Sequence, residues 1–296
     1  MKDRTTKRYF YVTLLNIGIT IAEFVGGFVS GSLALLSDAV HNLSDVGAII
    51  ISFVAHLISQ RSRNRYKTFG YERAETLAAF ANGLILILIS LALFVEAIER
   101  FWQPSQVKGG IMLVVAVIGL AANFISMLAM QRDAHNNLNV RSTFIHMLSD
   151  ALSSIAVVIG AVLIYFWQIT WVDPLMTILV SVFVLREAYQ ITKKAANILM
   201  ESNPDIDLDQ VNQIVLSFPA IKNIHHVHLW RYSDDYIMLD AHVNVDARLT
   251  AGEFEQLTQQ IGQKLQQLGI NHINFQAECE RGKNDDMIVP GHDHEN

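Results

Sequence analysis

Six mostly apolar stretches run through the first two-thirds of the chain, roughly Tyr11–Ser30, Leu33–Ser59, Thr76–Ala97, Ile111–Met130, Thr143–Trp167 and Trp171–Tyr189. About 20 such residues suffice for a helix to cross the hydrocarbon core of a bilayer. The pattern therefore predicts six transmembrane helices. Four of the stretches are close to uniformly apolar, whereas the second and fifth carry a polar stripe and would not score best on hydropathy alone. Each of these two holds a His-x-x-x-Asp pair, His41 with Asp45 and His146 with Asp150.

After Asn203-Pro204 the period changes. A short helix is expected over Leu208–Phe218, then strands over Asn223–Tyr232 and Tyr236–Asp246 joined by a turn at Ser233-Asp234-Asp235. In Ala251–Leu268 apolar residues recur at 254, 257, 261, 265 and 268, the spacing of an amphipathic helix. A last strand is expected over Asn271–Glu280. The order αββαβ predicts a three-stranded sheet with two helices on one face. The fold class is thus an α-helical polytopic membrane protein with a C-terminal α+β domain. Residues 1–200 form the six-helix part, 201–284 the soluble domain and 285–296 a polar, disordered tail.

Charge sharpens this division. The net charge is −6, but residues 1–200 carry +4 and residues 201–296 carry −10. In the membrane part the positive charge falls in alternate loops: Lys2, Arg4, Lys7 and Arg8 at the start, Arg61, Arg63, Arg65, Lys67 and Arg73 after the second span, Arg132 and Arg141 after the fourth, and Lys193 and Lys194 after the sixth. The positive-inside rule then places both termini in the cytoplasm of an integral membrane protein, with a bacterial cell membrane as the expected location. Trp102, Trp167 and Trp171 fall near the opposite interface, as an aromatic belt would. The single cysteine, Cys279, precludes an intramolecular disulfide and fits a reducing compartment; strand alternation points it into the core. An acidic soluble part with no basic, aromatic-interleaved stripe excludes nucleic-acid binding.

Residues four apart share one helix face, so His41 and Asp45 present two ligands together, and so do His146 and Asp150. Two His and two Asp suit a tetrahedral divalent ion, zinc first, and two carboxylates neutralise it in a low dielectric. An unpaired carboxylate in hydrocarbon is costly, so loss of the metal favours protonation, and metal and protons compete for the same side chains. Asp38 lies on the same face as Asp45 and either supports the ligands or meets the ion on its way in. Asp45 sits deeper within its span than Asp150 within its own. The four ligands therefore meet only if the second helix protrudes about a turn into the cytoplasm or the boundaries shift.

In the soluble domain, alternation gathers polar side chains on one face of the sheet. His226 and His228 share a face of the first strand, Asp240 and His242 of the second, and His272 and Glu278 of the third. If 232 pairs with 236, then 228 faces 240 and 226 faces 242. His272 and Glu278 are six residues apart, roughly 20 Å along a strand, which points to two sites or to intersubunit sites rather than one. Arg73 and Glu201 are opposite charges near the membrane surface and are expected to fix the soluble domain, or a partner subunit, against the membrane part.

The stretches GSLALLSDAVHNLSD, YKTFGYERAETLAAFANG and HNNLNVRSTFIHMLSDALSS, with HVHLW and HINFQAE, resemble the cation diffusion facilitators, close to bacterial zinc/cadmium exporters and vertebrate zinc transporters. The resemblance covers residues 8–282. It implies a homodimer in the lipid bilayer that exports Zn²⁺, with Cd²⁺, from the cytoplasm in exchange for H⁺, and a cytoplasmic metallochaperone-like domain. It places the transport site at His41, Asp45, His146 and Asp150, the His form favouring zinc over harder ions. It points to His228, His242, His272 and Glu278 as regulatory zinc ligands; the shared polar face adds His226 and Asp240 as further candidates. The loop Phe69-Gly70-Tyr71-Glu72 lacks the histidine that some members carry there, so no metal site is expected in it.

Carriers of Fe²⁺, Co²⁺ or Mn²⁺, and a membrane-embedded metal sensor, are the alternatives. An intramembrane metalloenzyme is disfavoured: there is no HExxH, and four protein ligands leave no open metal position.

Overall fold

The computed structural model describes residues 2–103, 105–134, 138–233 and 236–288; within its helices the side chains at 2–12, 45, 48–49, 52–53, 56, 129–134, 138–147 and 149 are outside that description. Eight α-helices and three strands follow one another among the described residues. They are α1 (Lys2–Ser30), α2 (Leu33–Ser59), α3 (Arg73–Trp102), α4 (Gly109–Ala134), α5 (Leu138–Trp167), α6 (Val172–Leu199), α7 (Leu208–Leu216), β1 (Ile221–Ser233), β2 (Tyr236–Val245), α8 (Ala251–Leu265) and β3 (His272–Glu278), with a short 3₁₀ turn at Gln266–Leu268. They belong to two compact units, residues 1–57 with 78–193, and residues 58–77 with 194–296. The loop between α2 and α3 thus folds with the C-terminal domain.

The first unit is a bundle built for lipid. Of its six long helices, α1, α3, α4, α5 and α6 are long and apolar enough to cross a membrane among the described residues, and α2, of 27 residues, carries the polar stripe. Large apolar side chains cover the outside, among them Phe28, Leu88, Val114, Ile125, Leu152 and Leu179. So wide an apolar surface suits hydrocarbon and not water. The three tryptophans expected at one interface are exposed at the ends of α3 and α5 and just before α6. Helices α3 to α6 outrun their apolar stretches because turns continue past the hydrocarbon boundary.

Inside, small residues bring helix axes close, as in other membrane bundles. A side chain at Gly26 of α1 would strike Val115 of α4, and one at Gly83 of α3 would strike Thr192 of α6. Val115 packs against one buried cluster formed by Ala34 and Leu35 of α2, Met112 and Ala116 of α4, Val157, Ala161 and Ile164 of α5 and Val172. Gly31 closes α1 with φ +76°, a left-handed conformation that favours glycine, and turns the chain into α2 within two residues.

The second unit has the expected αββαβ order. β2 is central, antiparallel to β1 and parallel to β3. Val211 and Val215 of α7 and Ile261 and Leu265 of α8 pack with Leu239, Ala241 and Val243 of β2, so both helices cover one face. Asp207 caps α7, and Thr250 with Glu253 forms a reciprocal capping box on α8. Two expectations need correction. Cys279 is exposed, because β3 ends at Glu278 and alternation no longer applies beyond it. His226 does not pair with His242: the register shifts between His225 and His228, and His225 takes that place.

Candidate metal centres

In the bundle, α2 and α5 bring His41 and Asp150 together. His41 Nε2 lies 3.2 Å from Asp150 Oδ1, and both residues are buried. The depth problem is largely met by the start of α5 at Leu138 instead of 143, since five further residues add about 7.5 Å of helix. The side chains of Asp45 and His146 lie outside the described residues, although α2 and α5 run through both positions. The same holds for Ser52, His56 and Ser149 along the stripes.

Around the His41–Asp150 pair the bundle is polar and hydrogen-bonded. Asp38, one turn before His41, accepts from Ser153 Oγ at 3.0 Å and from Ser154 Oγ at 3.3 Å, and Asn123 Nδ2 of α4 donates to Ser154 Oγ at 2.9 Å. Asn42 Nδ2 donates to Glu23 Oε2 at 2.7 Å, binding α2 to α1. Asp38 therefore ties α2 to the helix that carries Asp150. On the other side of His41 a cavity of about 230 Å³ is lined by Ser44 of α2, Leu86 of α3, and Val184, Glu187 and Gln190 of α6.

In the C-terminal domain, His225, His242 and Glu278 come from all three strands, with ligand atoms within 4.8 Å of one another. His225 Nε2 is 3.2 Å from Glu278 Oε2, and His242 Nδ1 is 3.1 Å from Glu278 Oε1. Gln276 Nε2 donates to the same Oε1 at 2.9 Å. The turn after β3 closes over them. Asn244 Nδ2 holds the Arg281 carbonyl at 2.7 Å and Asn223 Nδ2 the Gly282 carbonyl at 3.1 Å. Gly282 has φ +63°, and any side chain there would strike the His225 ring.

The other sequence candidates fall elsewhere. His228 faces Asp240 across the ladder and approaches His226, Nε2 to Nε2, at 3.2 Å. The His226 ring stacks on His242 with centroids 4.6 Å apart. Desolvation, and then His242 and His228, hold the His226 imidazole below its ordinary range, so it stays in the neutral form that binds metal. His272 stacks on Tyr236 and pairs with Met238, at the opposite end of β3 from Glu278. The bulge brings His225 into the cluster, with His226 at φ +50°. The adjacent pair His225-His226 was the only signal that could have suggested it, since alternation selects one or the other without saying which.

At the start of α3, Arg73 Nη2 donates to Glu201 Oε1 at 2.9 Å, the pairing expected from charge. It has company. The Arg73 guanidinium lies over the Tyr232 ring at 5.3 Å, and Tyr232 Oη donates to the Phe69 carbonyl at 2.8 Å. Burial, and then Glu72, push the Tyr232 phenol above its ordinary range, which keeps the donor proton in place.

A bundle with a lipid-facing exterior and a buried imidazole–carboxylate pair beside a cavity, followed by a soluble domain with a second His/carboxylate cluster, defines a class of membrane protein that handles cations. Residues 9–200 match the cation efflux transmembrane domain, and residues 203–278 the cation efflux protein cytoplasmic domain. The chain belongs to the cation efflux family, the cation diffusion facilitators. It is 39% identical over 291 residues to a cadmium, cobalt and zinc/H⁺-K⁺ antiporter of Bacillus subtilis (strain 168), covering 97% of this chain and 94% of that one. It is 36% identical over 301 residues to the zinc transporter ZitB of Escherichia coli (strain K12), covering 99% and 95%. With the metal cation efflux system protein CzcD of Cupriavidus metallidurans it shares 36% identity over 265 residues, 88% of this chain and 84% of the other.

Proposed function

We propose that this chain exports Zn²⁺, and with it Cd²⁺, from the cytoplasm in exchange for protons, as a homodimer with both termini in the cytoplasm. The observation that carries the reading is the meeting of His41 and Asp150, 109 residues apart in sequence, at 3.2 Å in the bundle interior. With Asp45 and His146, each one turn away on its own helix, they make a two-His, two-carboxylate set for the transported ion. The cavity at His41 gives cytoplasmic metal a route to it. The ion displaces protons from imidazole and carboxylate on arrival, and protons replace it on departure, so exchange follows from competition for the same atoms. The names of the relatives, with zinc, cadmium and H⁺ among their ions, support this reading.

Zinc also fits the C-terminal cluster. Two imidazoles and a carboxylate are a three-ligand zinc set, and His225 Nδ1 is buried with no hydrogen-bond partner. His225, His242 and Glu278 would hold the ion, which would link the three strands. Of the residues picked out by the resemblance, we retain His242 and Glu278 for this ion. His226, stacked on His242, joins His228 and Asp240 at the margin of this cluster, and His272 stands apart at the other end of β3. Occupancy of this domain would tighten the dimer and raise transport.

The test is zinc flux into proteoliposomes under an imposed pH gradient. Replacing His41, Asp45, His146 or Asp150 by Ala should abolish it in each case, and full flux in any two of the four removes the site assignment. Running the same assay with Cd²⁺, Co²⁺, Mn²⁺ and Fe²⁺ ranks the cargo.

A further inference from the structure

Helices α2 and α6 are joined firmly at one end and flank a cavity further along. At the α2 start, Asp173 is fully buried and accepts from Ser32 Oγ at 2.5 Å, from the Leu33 N–H at 2.9 Å and from the Ala34 N–H at 3.3 Å. Its carboxylate thus sits on the first turn of α2, where unpaired N–H groups and the helix dipole favour negative charge. Arg100 Nη1, from the end of α3, lies 3.9 Å from Asp173 Oδ2 and donates to the Gly31 carbonyl at 2.6 Å. One turn along, Ser37 Oγ and Ser181 Oγ still touch at 3.3 Å. Further along, a cavity lies between His41 and Ser44 of α2 and Val184, Glu187 and Gln190 of α6, bordered by the edge-on contact of His41 with Phe183 at 6.1 Å and by the buried cluster of Val40 with Ala188.

We propose that Asp173 is a positioning residue that keeps these ends of α2 and α6 together throughout the transport cycle, so that the cavity opens and closes by pivoting about this contact. The proposal rests on the transport reading above. Its physical basis is an asymmetry of cost. Separating the joined ends would strand a desolvated carboxylate away from its donors and its arginine. Closing the cavity disturbs mainly side chains that already border open space. His41 lies eight residues from Leu33, about 12 Å along α2, so a small rotation at the pivot moves the metal ligand by a useful distance.

The experiment uses full-length protein with Cys279→Ser in proteoliposomes, and measures zinc flux before and after a short bifunctional thiol reagent. In Ser32→Cys/Asp173→Cys the unbridged protein should show turnover lowered about tenfold with the zinc KM little changed, the mark of an impaired conformational step and not of lost binding. Bridging should restore most of the flux, because a covalent tie replaces the carboxylate. In Ser44→Cys/Glu187→Cys, bridging across the cavity should stop flux relative to the same protein before treatment. Asp173→Asn, which keeps the shape of the side chain, should repeat the turnover defect should the double variant fold poorly. Wild-type turnover in Asp173→Asn, arrest on bridging Ser32→Cys/Asp173→Cys, or unchanged flux on bridging Ser44→Cys/Glu187→Cys would each overturn the pivot. Absence of zinc flux in the Cys279→Ser parent and in the wild-type chain would instead count against the transport reading.

Discussion

The two candidate metal centres were written in different structural languages, and they differ in how faithfully the sequence conveyed them. In the bundle the candidates sit on helices, where an interval of four fixes a shared face whatever the neighbours do. His41 and Asp150 accordingly meet, while the side chains of Asp45 and His146 lie outside the described residues. In the C-terminal domain the candidates sit on strands, where side-chain direction depends on every residue before it. One bulge in β1 shifts the register, and His225 takes the position opposite His242 that alternation assigns to His226. A helix tolerates local irregularity without losing its faces, whereas a strand exchanges them at a single extra residue.

The largest expected effect lies at the first centre. Asp150→Asn keeps the size of the side chain but removes its charge, and should lower zinc flux by roughly 100-fold or more, as the proposed role of Asp150 as a ligand requires, since losing a ligand costs more than losing a supporting group. Asp38→Asn should cost less, about tenfold, because Asp38 bonds to Ser153 and Ser154 and does not touch His41 or Asp150 in the described contacts. Equal losses in the two variants would make Asp38 a ligand and redraw the site.

The comparison breaks most directly at the second centre. In a full-length Asp150→Asn background, where the transport site is disabled, His225→Ala and His242→Ala should each weaken zinc binding by about 100-fold in calorimetry, while His272→Ala changes it little. A large loss in His272→Ala with none in His225→Ala would restore the uninterrupted strand. Gly282→Ala should act through the same histidine. Its φ of +63° disfavours any side chain, and an added Cβ would strike the His225 ring, so both zinc affinity and domain stability should fall, the latter by about 1 kcal/mol.

What the sequence made legible follows the same division. The six spans, the αββαβ order and the two helices on one face followed from periodicity, which averages over many residues and survives local exceptions. Helix α2 runs over Leu33–Ser59, as its apolar stretch does. The features that were not legible depend on single residues. The start of α5 lies before its apolar stretch because polar residues extend the helix beyond the membrane. The exposure of Cys279 follows from the end of β3 one residue earlier. Asp173 gave no pattern at all, since its meaning lies in donors 140 residues away. Likewise, the union of residues 58–77 with the C-terminal domain depends on tertiary contacts such as Tyr232 with Phe69.

The smallest effects are expected where charge alone suggested an interaction. Arg73 and Glu201 do pair, but the two side chains are 33% and 59% exposed, and such pairs contribute about 0–1 kcal/mol. Arg73 has a second attachment in the face of Tyr232, and Tyr232 has one in the Phe69 carbonyl. Glu201→Gln should therefore leave thermal stability and flux nearly unchanged. Arg73→Gln, which loses the ion pair and the cation–π contact together, should cost more, about 1–2 kcal/mol in thermal unfolding. Tyr232→Phe keeps the ring beneath Arg73 and removes only the hydroxyl, so its cost isolates the bond to Phe69. If Glu201→Gln proves as damaging as Arg73→Gln, the ion pair is the main fastening of the α2–α3 loop. If Tyr232→Phe is the more damaging, the fastening is the strand that also carries His225, and the loop is tied to the metal cluster through β1.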